Sequence, residues 1–250
     1  MQELAQTGGF EVITGDTDSL LLLGKEGEGD ERLQDFVNHC QRERSIEVEH
    51  QRTFSKFLSI KKKHYIGIDS VTGGAVVKGM EGKKSDRPKW VSRVFDQFVQ
   101  DFKGGTVNPT INIKKATNDL ESGRINPEDL RIYISLSKDP TEYAANNLQK
   151  RVGLYLGAKK GDVIYYYKTN SNSRKEKYTD IVPINPEYID ITEYKKMLFA
   201  TLKGALEMLG IGDQERIKSD IFNISSNRDS KTSKNLLQQH TTRHEIKAQK

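Results

Sequence analysis

The sequence lacks the residues that disulfides and membrane spans require. Its 250 residues include a single cysteine, Cys40, which excludes an internal disulfide and any zinc site built from several cysteines. No apolar run approaches the ~18 to 20 residues of a membrane span, and the first residues carry no secretory signal. These absences predict a soluble protein in the reducing cytoplasm, without a membrane partner. Cys40 falls on the apolar stripe of a predicted helix, which favours a small buried hydrophobe over a nucleophile.

Apolar residues are also scarce for a globular chain. Hydrophobic residues make up 34% of the sequence and charged residues 30%, so much of the surface must be solvated or bound to something polar. The formal charge of +5 favours a polyanionic partner, although the clustering of basic residues carries more information than their total. The length suffices for one large domain or two small ones, and we expect two modest cores.

Two apolar runs near the start of the chain predict a β-hairpin. Phe10 to Thr14 and Ser19 to Leu23 read as strands, and the second is apolar without alternation, which indicates burial on both faces. The turn between them carries Asp16 and Asp18. Two carboxylates on a tight turn suit Mg²⁺, a cation that prefers oxygen ligands. For an isolated pair, hydrogen bonding to the turn's own amides is the alternative.

The rest of the chain contains hydrophobic patterns that predict both helices and strands. Glycines and a proline at residues 104–109 mark the best candidate boundary between two units. The stretch from about Ser225 has no sustained apolar period and predicts a flexible tail. The predicted helices are residues 30–44, 89–103, 109–122, 140–151 and 192–209, and the further predicted strands are residues 57–60, 65–68, 75–79, those around 132, and 163–167.

Basic residues cluster at two places after the hairpin. Lys61 to His64 are four consecutive residues that can carry positive charge, and Lys83, Lys84, Arg87 and Lys89 form a second set. A solvated strand edge that discourages edge pairing is one interpretation of such a run. Two clusters close together favour a surface that binds phosphates.

Three motifs, in order, resemble those of family B DNA polymerases. TGDTDS at residues 14–19 resembles the family's YGDTDS motif, and KKHY at residues 62–65 resembles its KKRY or KKKY motif. KGMEGKKSD at residues 78–86 resembles the segment KG-x-E-x-x-R-R-D. Further matches between residues 136 and 188 resemble the family's thumb. The resemblance extends from about Gly9 to Gly210.

The resemblance implies an α+β fold, with part of an antiparallel polymerase palm sheet and flanking helices followed by a mostly helical thumb domain. Residues 1–105 would be the C-terminal half of the palm with the catalytic hairpin. Residues 106–224 would be the thumb, and residues 225–250 a flexible polar tail. In the family, the exonuclease domain, the fingers and the other palm strands precede this region.

The resemblance also implies roles for individual residues. Asp16 and Asp18 would be catalytic and would hold Mg²⁺ in a two-metal site, with Asp18 as the main ligand of the hairpin. The substrates would be primer-template DNA and deoxynucleoside triphosphates. The expected DNA-binding residues are Lys62, Lys63, His64, Tyr65, Lys78, Lys83, Lys84 and Lys138.

The sequence contains no match to the first palm motif, which supplies the other essential Asp, or to the fingers motif. The chain is therefore expected to be inactive alone and to need a larger polymerase chain with exonuclease, fingers and remaining palm. The assembled polymerase would bind a sliding clamp, and it would be associated with the nucleoid. A naturally split polymerase of archaeal type and a fragment of a longer polymerase both fit. A non-catalytic DNA-binding or scaffold subunit derived from a palm and thumb is the alternative.

Overall fold

The protein is described here by a computed structural model, which covers ten stretches of the chain. Its described residues are 5–6, 8–15, 19–24, 30–44, 47–61, 63–80, 87–105, 110–170, 186–210 and 243–248.

A six-stranded antiparallel sheet organises the N-terminal half of the chain. Its strands are β1 (Glu11–Gly15), β2 (Ser19–Leu23), β3 (Val48–Lys61), β4 (His64–Asp69), β5 (Ala75–Lys78) and β8 (Arg243–Ala248). They lie in the spatial order β1-β2-β8-β3-β4-β5, so the last strand in sequence sits in the middle. The sheet and its flanking helices confirm the α+β fold class.

Helices cover the sheet and build the second half of the chain. A separate two-stranded antiparallel sheet lies among the later helices and joins β6 (Ile132–Ser135) to β7 (Val163–Tyr166). The helices are α1 (Asp30–Arg44), α2 (Lys89–Gly104), α3 (Thr110–Glu121), α4 (Leu148–Leu156) and α5 (Ile191–Met208). None of the helices in the described part combines the length and apolarity that a membrane crossing requires.

Local signals explain where two of these helices begin and end. Gly105 ends α2 with a φ of 73°, and its N–H donates to the carbonyls of Asp101 and Phe102. Asn147 begins α4, because its side chain accepts a hydrogen bond from the N–H of Lys150. The prediction of a helix at 140–151 is wrong in its limits, since Pro140–Glu142 form only a 3-10 turn before this cap.

The largest hydrophobic core joins the sheet to helices from both halves of the chain. It contains Ile66 of β4, Phe95 of α2, Ile113 of α3 and Leu202 of α5, all at most 2% exposed. Burying each such side chain stabilises the fold by about 1.5–3 kcal/mol. The predicted boundary at residues 104–109 therefore does not separate two hydrophobic cores.

A smaller core joins α1 to the first hairpin. Leu20 and Leu22 of β2 pack with Leu33, Phe36 and Cys40 of α1. Cys40 is fully buried, and this burial raises the pKa of its thiol. Its interpretation as a small buried hydrophobe is confirmed.

Two strands differ from the sequence predictions. β3 has 14 residues, from Val48 to Lys61, where the pattern predicted only 57–60. β8 occupies residues 243–248, within the stretch predicted to be a flexible tail. The first half of β3 pairs with β8, and β8 also pairs with β2, so these polar segments are extended because neighbouring strands hydrogen-bond to them.

Candidate active site and nucleic-acid interface

The first hairpin presents the acidic turn at the end of a buried strand. β1 and β2 pair antiparallel, with Gly15 opposite Leu20. Leu20, Leu21 and Leu22 are each at most 5% exposed, which confirms that β2 is buried on both faces. Residues 16–18, which join the strands, lie outside the described residues, so the roles of Asp16 and Asp18 stay predictions.

A second hairpin presents the lysine turn. Lys61 of β3 pairs with His64 of β4, and residues 62 and 63 connect them. Lys63 has a φ of 64°, a left-handed conformation that is uncommon outside glycine. Gly79 packs against this turn so closely that a Cβ at Gly79 would lie 2.2 Å from the Lys63 carbonyl oxygen. The glycine of the KG motif therefore has a physical role, which is to let β5 and the lysine turn come together.

A cavity of about 180 Å³ lies between the two hairpins. Gly15 and Ser19, which flank the acidic turn, form part of its lining, and so do Lys61, Lys63 and Lys78. All three lysines are exposed residues of the second hairpin region. The chain therefore brings the two residues beside the acidic turn and three cations around one cavity.

An aromatic cluster fixes Tyr65 at the wall of this cavity. The ring of Tyr65 lies 5.0 Å from that of Phe57 and 6.1 Å from that of Phe54, measured between centroids. Phe54 is fully buried and packs over Gly67, where a Cβ would lie 2.5 Å from the Phe54 ring. Aromatic pairs at these distances add to the stabilisation from burial, so Tyr65 is held in a defined position.

The structure brings together several of the predicted DNA-binding residues. Lys63, Tyr65 and Lys78 line the cavity, and the ring of His64 lies beside Gly79, next to the same turn. Tyr65 and Lys78 are also directly opposite each other in the β4–β5 ladder. The predicted residues Lys62, Lys83 and Lys84 lie outside the described part of the chain.

Lys138 lies apart from this group, in a second basic loop cluster. Its Nζ is 5.6 Å from the centroid of the Tyr143 ring, which stabilises the cation on an aromatic face. Asp139 accepts a hydrogen bond from the N–H of Lys160 at 3.0 Å, so the loop that carries Lys138 is bonded to the turn at Lys159 and Lys160. Three lysines therefore share one loop cluster in the C-terminal half of the chain.

The motif resemblance did not identify Lys61 and Ser59 as residues of the cavity. Both lie on β3, at alternate positions from Phe57, and all three line the cavity. The basic run at residues 61–64 already includes Lys61, and strand periodicity is the signal that could have found Ser59, because residues two apart share one face of a sheet. That signal needs β3 to be recognised as a strand through Lys61.

The residues that could bind a metal ion, Asp16 and Asp18, are identified from the sequence, because they lie outside the described residues. Among the residues whose positions are described, no group of three His, Cys, Asp or Glu residues could hold a metal ion. Asp16 and Asp18 offer carboxylate oxygens, which are the ligands that Mg²⁺ prefers. Two carboxylates suit one part of a Mg²⁺ site and leave positions for ligands from elsewhere.

Substituting Gly79 by Ala is expected to weaken DNA binding by displacing the lysine turn. The positive φ of Gly79, 65°, costs an alanine roughly 1–2 kcal/mol, and the Cβ also collides with the Lys63 carbonyl. Gly123→Ala is the matched control, since Gly123 has a φ of 68° and open space around its Cβ position. Thermal unfolding should show the cost of the positive φ in both variants and an additional destabilisation from the collision in Gly79→Ala, with reduced primer-template affinity in Gly79→Ala alone. Equal affinities would contradict a role for this close approach.

Comparison with known proteins identifies the family. The family model for DNA polymerase family B matches residues 2–196. This match covers most of the chain, including both hairpins, and the chain therefore belongs to DNA polymerase family B.

Proteins similar to this chain include archaeal DNA polymerases of much greater length. DNA polymerase 1 of Aeropyrum pernix is 30% identical over 176 residues, which are 63% of this chain and 18% of that protein. DNA polymerase 1 of Sulfolobus acidocaldarius is 27% identical over 228 residues, which are 84% of this chain and 25% of that protein. The chain thus spans about a quarter or less of these relatives.

A solved structure shows the same fold. The family B DNA polymerase from the hyperthermophilic archaeon Pyrobaculum calidifontis superposes with a TM-score of 0.57 at 20% identity. The superposition covers 91% of this chain and 28% of that chain. The fold of the described elements is therefore found within a family B polymerase.

Proposed function

We propose that this chain supplies the catalytic hairpin and part of the duplex-binding surface of a DNA polymerase that performs template-directed DNA synthesis. One observation carries the proposal. The family match includes GDTDS, and the strands on either side of it form a hairpin whose ends line a cavity with three lysines. In this proposal residues 1–105 belong to the palm, residues 106–224 to the thumb and residues 225–250 to a C-terminal extension.

Asp16 and Asp18 would hold Mg²⁺ through their carboxylate oxygens, with Asp18 as the main ligand. Bound Mg²⁺ would lower the pKa of the primer 3′-hydroxyl and stabilise charge on the leaving pyrophosphate. The buried strand β2 fixes the point from which the turn leaves the sheet, because its three central leucines pack on both faces. A rigid support of this kind keeps the carboxylates in position without cost during the reaction.

The basic residues around the cavity would hold the primer strand. Lys61, Lys63 and Lys78 can bind backbone phosphates, which positions a duplex without selecting its sequence. Tyr65, fixed by the aromatic cluster, would contact the duplex beside them. Lys138 and its loop cluster would bind the duplex further from the reaction. A polymerase has to copy every sequence, so contacts to the backbone suit it.

A larger polymerase chain would complete the enzyme. A two-metal site needs carboxylates from at least two segments, and the hairpin supplies one of them. The larger chain would carry the exonuclease, the fingers and the palm motif with the other Asp, and it would link the assembly to a sliding clamp. The substrates are primer-template DNA and deoxynucleoside triphosphates. This chain alone would bind DNA and add no nucleotides.

Replacing Lys61, Lys63 and Lys78 by Ala should reduce the salt dependence of DNA binding. For duplex DNA, removing one lysine that neutralises a phosphate lowers the slope of log affinity against log salt concentration by about 0.9. Fluorescence anisotropy with a labelled primer-template at several salt concentrations measures the slope. Lys115→Ala, an exposed position on α3, is the control and should leave the slope unchanged. An unchanged slope in the triple variant would contradict the phosphate-binding role of the cavity.

Primer extension tests the function itself. The assay uses Mg²⁺, a primed template and four deoxynucleotides with this chain alone, with the larger chain from the same source alone, and with the two mixed. Extension only in the mixture supports the proposal. Extension by the larger chain alone would make this protein an accessory DNA-binding or scaffold subunit, and extension by this chain alone would contradict the need for a second carboxylate segment.

A further inference from the structure

The C-terminal strand β8 holds the central position of the large sheet. It pairs antiparallel with β2 from Ser19 opposite Lys247 to Leu23 opposite Arg243. On its other side it pairs antiparallel with β3 from Val48 opposite Ala248 to Phe54 opposite Arg243. In the described part of the chain, β8 is the strand that links the β1-β2 hairpin to β3, β4 and β5.

The place that β8 fills is a slot for one extended strand. Without β8, facing edges of β2 and β3 would present unpaired N–H and C=O groups, which recruit a strand from elsewhere. Because both β2 and β3 are antiparallel to β8, any strand in this orientation gains two hydrogen-bonded ladders at once. Main-chain hydrogen bonds supply affinity in such strand addition, so the slot accepts different sequences.

The sequence of β8 is a poor one for the centre of a sheet. RHEIKA contains four polar or charged residues in six, with Ile246 as its one strongly apolar residue. It lies against β2, whose sequence is SLLLL. Central strands are usually stabilised by apolar side chains on both faces, so backbone pairing must contribute most of what holds β8. A strand with a more apolar pattern can compete for the slot.

One end of the slot lies beside the acidic turn. Lys247 is opposite Ser19 in the register, and Ser19 directly follows Asp18 in the chain. A strand that enters the slot therefore runs directly beside the β1–β2 hairpin.

We propose that β8 is a self-blocking strand. It occupies, in the free chain, the slot that a strand of the larger polymerase chain takes in the assembled enzyme. The incoming strand runs antiparallel to both β2 and β3 and takes over the two hydrogen-bonded ladders that β8 makes in the free chain. This inference rests on the proposed function, since it names the partner element that completes the same site.

A disulfide across the slot tests whether β8 must leave. Glu49 and Lys247 are directly opposite in the β3–β8 ladder, so the full-length variant Glu49→Cys/Lys247→Cys can lock β8 in place when oxidised. Ser135→Cys/Val163→Cys is the matched control, because these residues are opposite in the β6–β7 ladder, away from the slot. Mass spectrometry after alkylation verifies each crosslink.

The expected result is a loss of at least about tenfold in primer extension by the oxidised locked chain mixed with the larger chain. Reduction should restore the rate, and the oxidised control should extend at the rate of the unmodified chain. Equal extension by the locked and unmodified chains, with the crosslink verified, would overturn the inference while leaving the proposed function intact.

Amide hydrogen exchange separates the inference from the proposed function. The amides of residues 243–248 should be protected in the free chain and should exchange faster when the larger chain binds. If the unmodified mixture extends no primer but this exposure occurs, the proposed function fails and the strand exchange stands. Amides that exchange rapidly in the free chain, or that stay protected with the larger chain present, would overturn the inference.

Discussion

Replacing Asp18 by Ala is expected to lower nucleotide addition by the assembled enzyme at least about 10³-fold. Loss of a main metal ligand removes several kcal/mol of transition-state stabilisation, and each 1.36 kcal/mol is tenfold in rate. Asp16→Ala should have a smaller effect, because Asp16 is the second ligand of the hairpin in this proposal. Single-nucleotide addition under single-turnover conditions measures both rates.

DNA binding should survive this substitution. Removing a carboxylate from beside DNA phosphates removes a like-charge repulsion, so primer-template affinity should stay the same or increase. The rate and the affinity together therefore distinguish a catalytic carboxylate from a structural one. A variant that lost affinity and rate in parallel would indicate damage to the hairpin instead.

Asp69 provides the matched control for Asp18. It is also a turn aspartate in the same sheet, and its carboxylate accepts hydrogen bonds from the N–H groups of Val71 and Thr72 at 3.0 and 2.8 Å. These hydrogen bonds, that of Thr72 foremost, hold the pKa of Asp69 below its ordinary value. Asp69→Ala should leave the rate of nucleotide addition unchanged. If Asp18→Ala also extended primers at the wild-type rate, the metal-binding role would be contradicted.

Leu202→Ala should destabilise the whole described fold, not only the C-terminal half. Leu202 of α5 is fully buried in the core that it shares with β4 and α2. Truncating such a leucine costs about 3 kcal/mol, through lost burial and the cavity that remains. Urea unfolding measures the loss, and amide exchange should show reduced protection in β3 and β4 as well as in α5.

Met208→Ala on the same helix is the control for this variant. Met208 is 49% exposed, so its truncation should change the free energy of unfolding by about 0.5 kcal/mol or less. Loss of protection confined to α5 in Leu202→Ala would contradict a core shared by both halves of the chain, and would instead support two units that unfold separately.

The sequence predicts best the elements whose own pattern determines them. β2 is an unbroken apolar run, and α2 has a wide apolar stripe closed by two glycines, so both lie where the pattern places them. The first half of β3 and β8 carry no such pattern, because they are polar segments that become strands by pairing with neighbouring strands, β3 with β8 and β8 with both β2 and β3. Tertiary pairing of this kind leaves no periodic signal in either segment.

The sequence predicts the site residues that belong to motifs, and it does not predict the contacts that depend on how the strands pack. The motifs place Lys63, Tyr65 and Lys78, which the structure gathers at one cavity. They do not reveal that Lys61 joins them, or that Gly79 allows the lysine turn to approach β5. These features depend on the β3–β4–β5 register, which short motifs do not specify.

The most direct measurement of the central claim is iron-mediated cleavage of the assembled enzyme. Fe²⁺ would replace Mg²⁺ in the presence of primer-template and deoxynucleotide, and peroxide with ascorbate would then cut the polypeptide close to the metal. We predict cuts in this chain between Thr14 and Leu20, absent in Asp18→Ala and retained in Asp69→Ala. Cuts elsewhere in the chain, or cuts at the hairpin that persist in Asp18→Ala, would contradict a metal held by this hairpin.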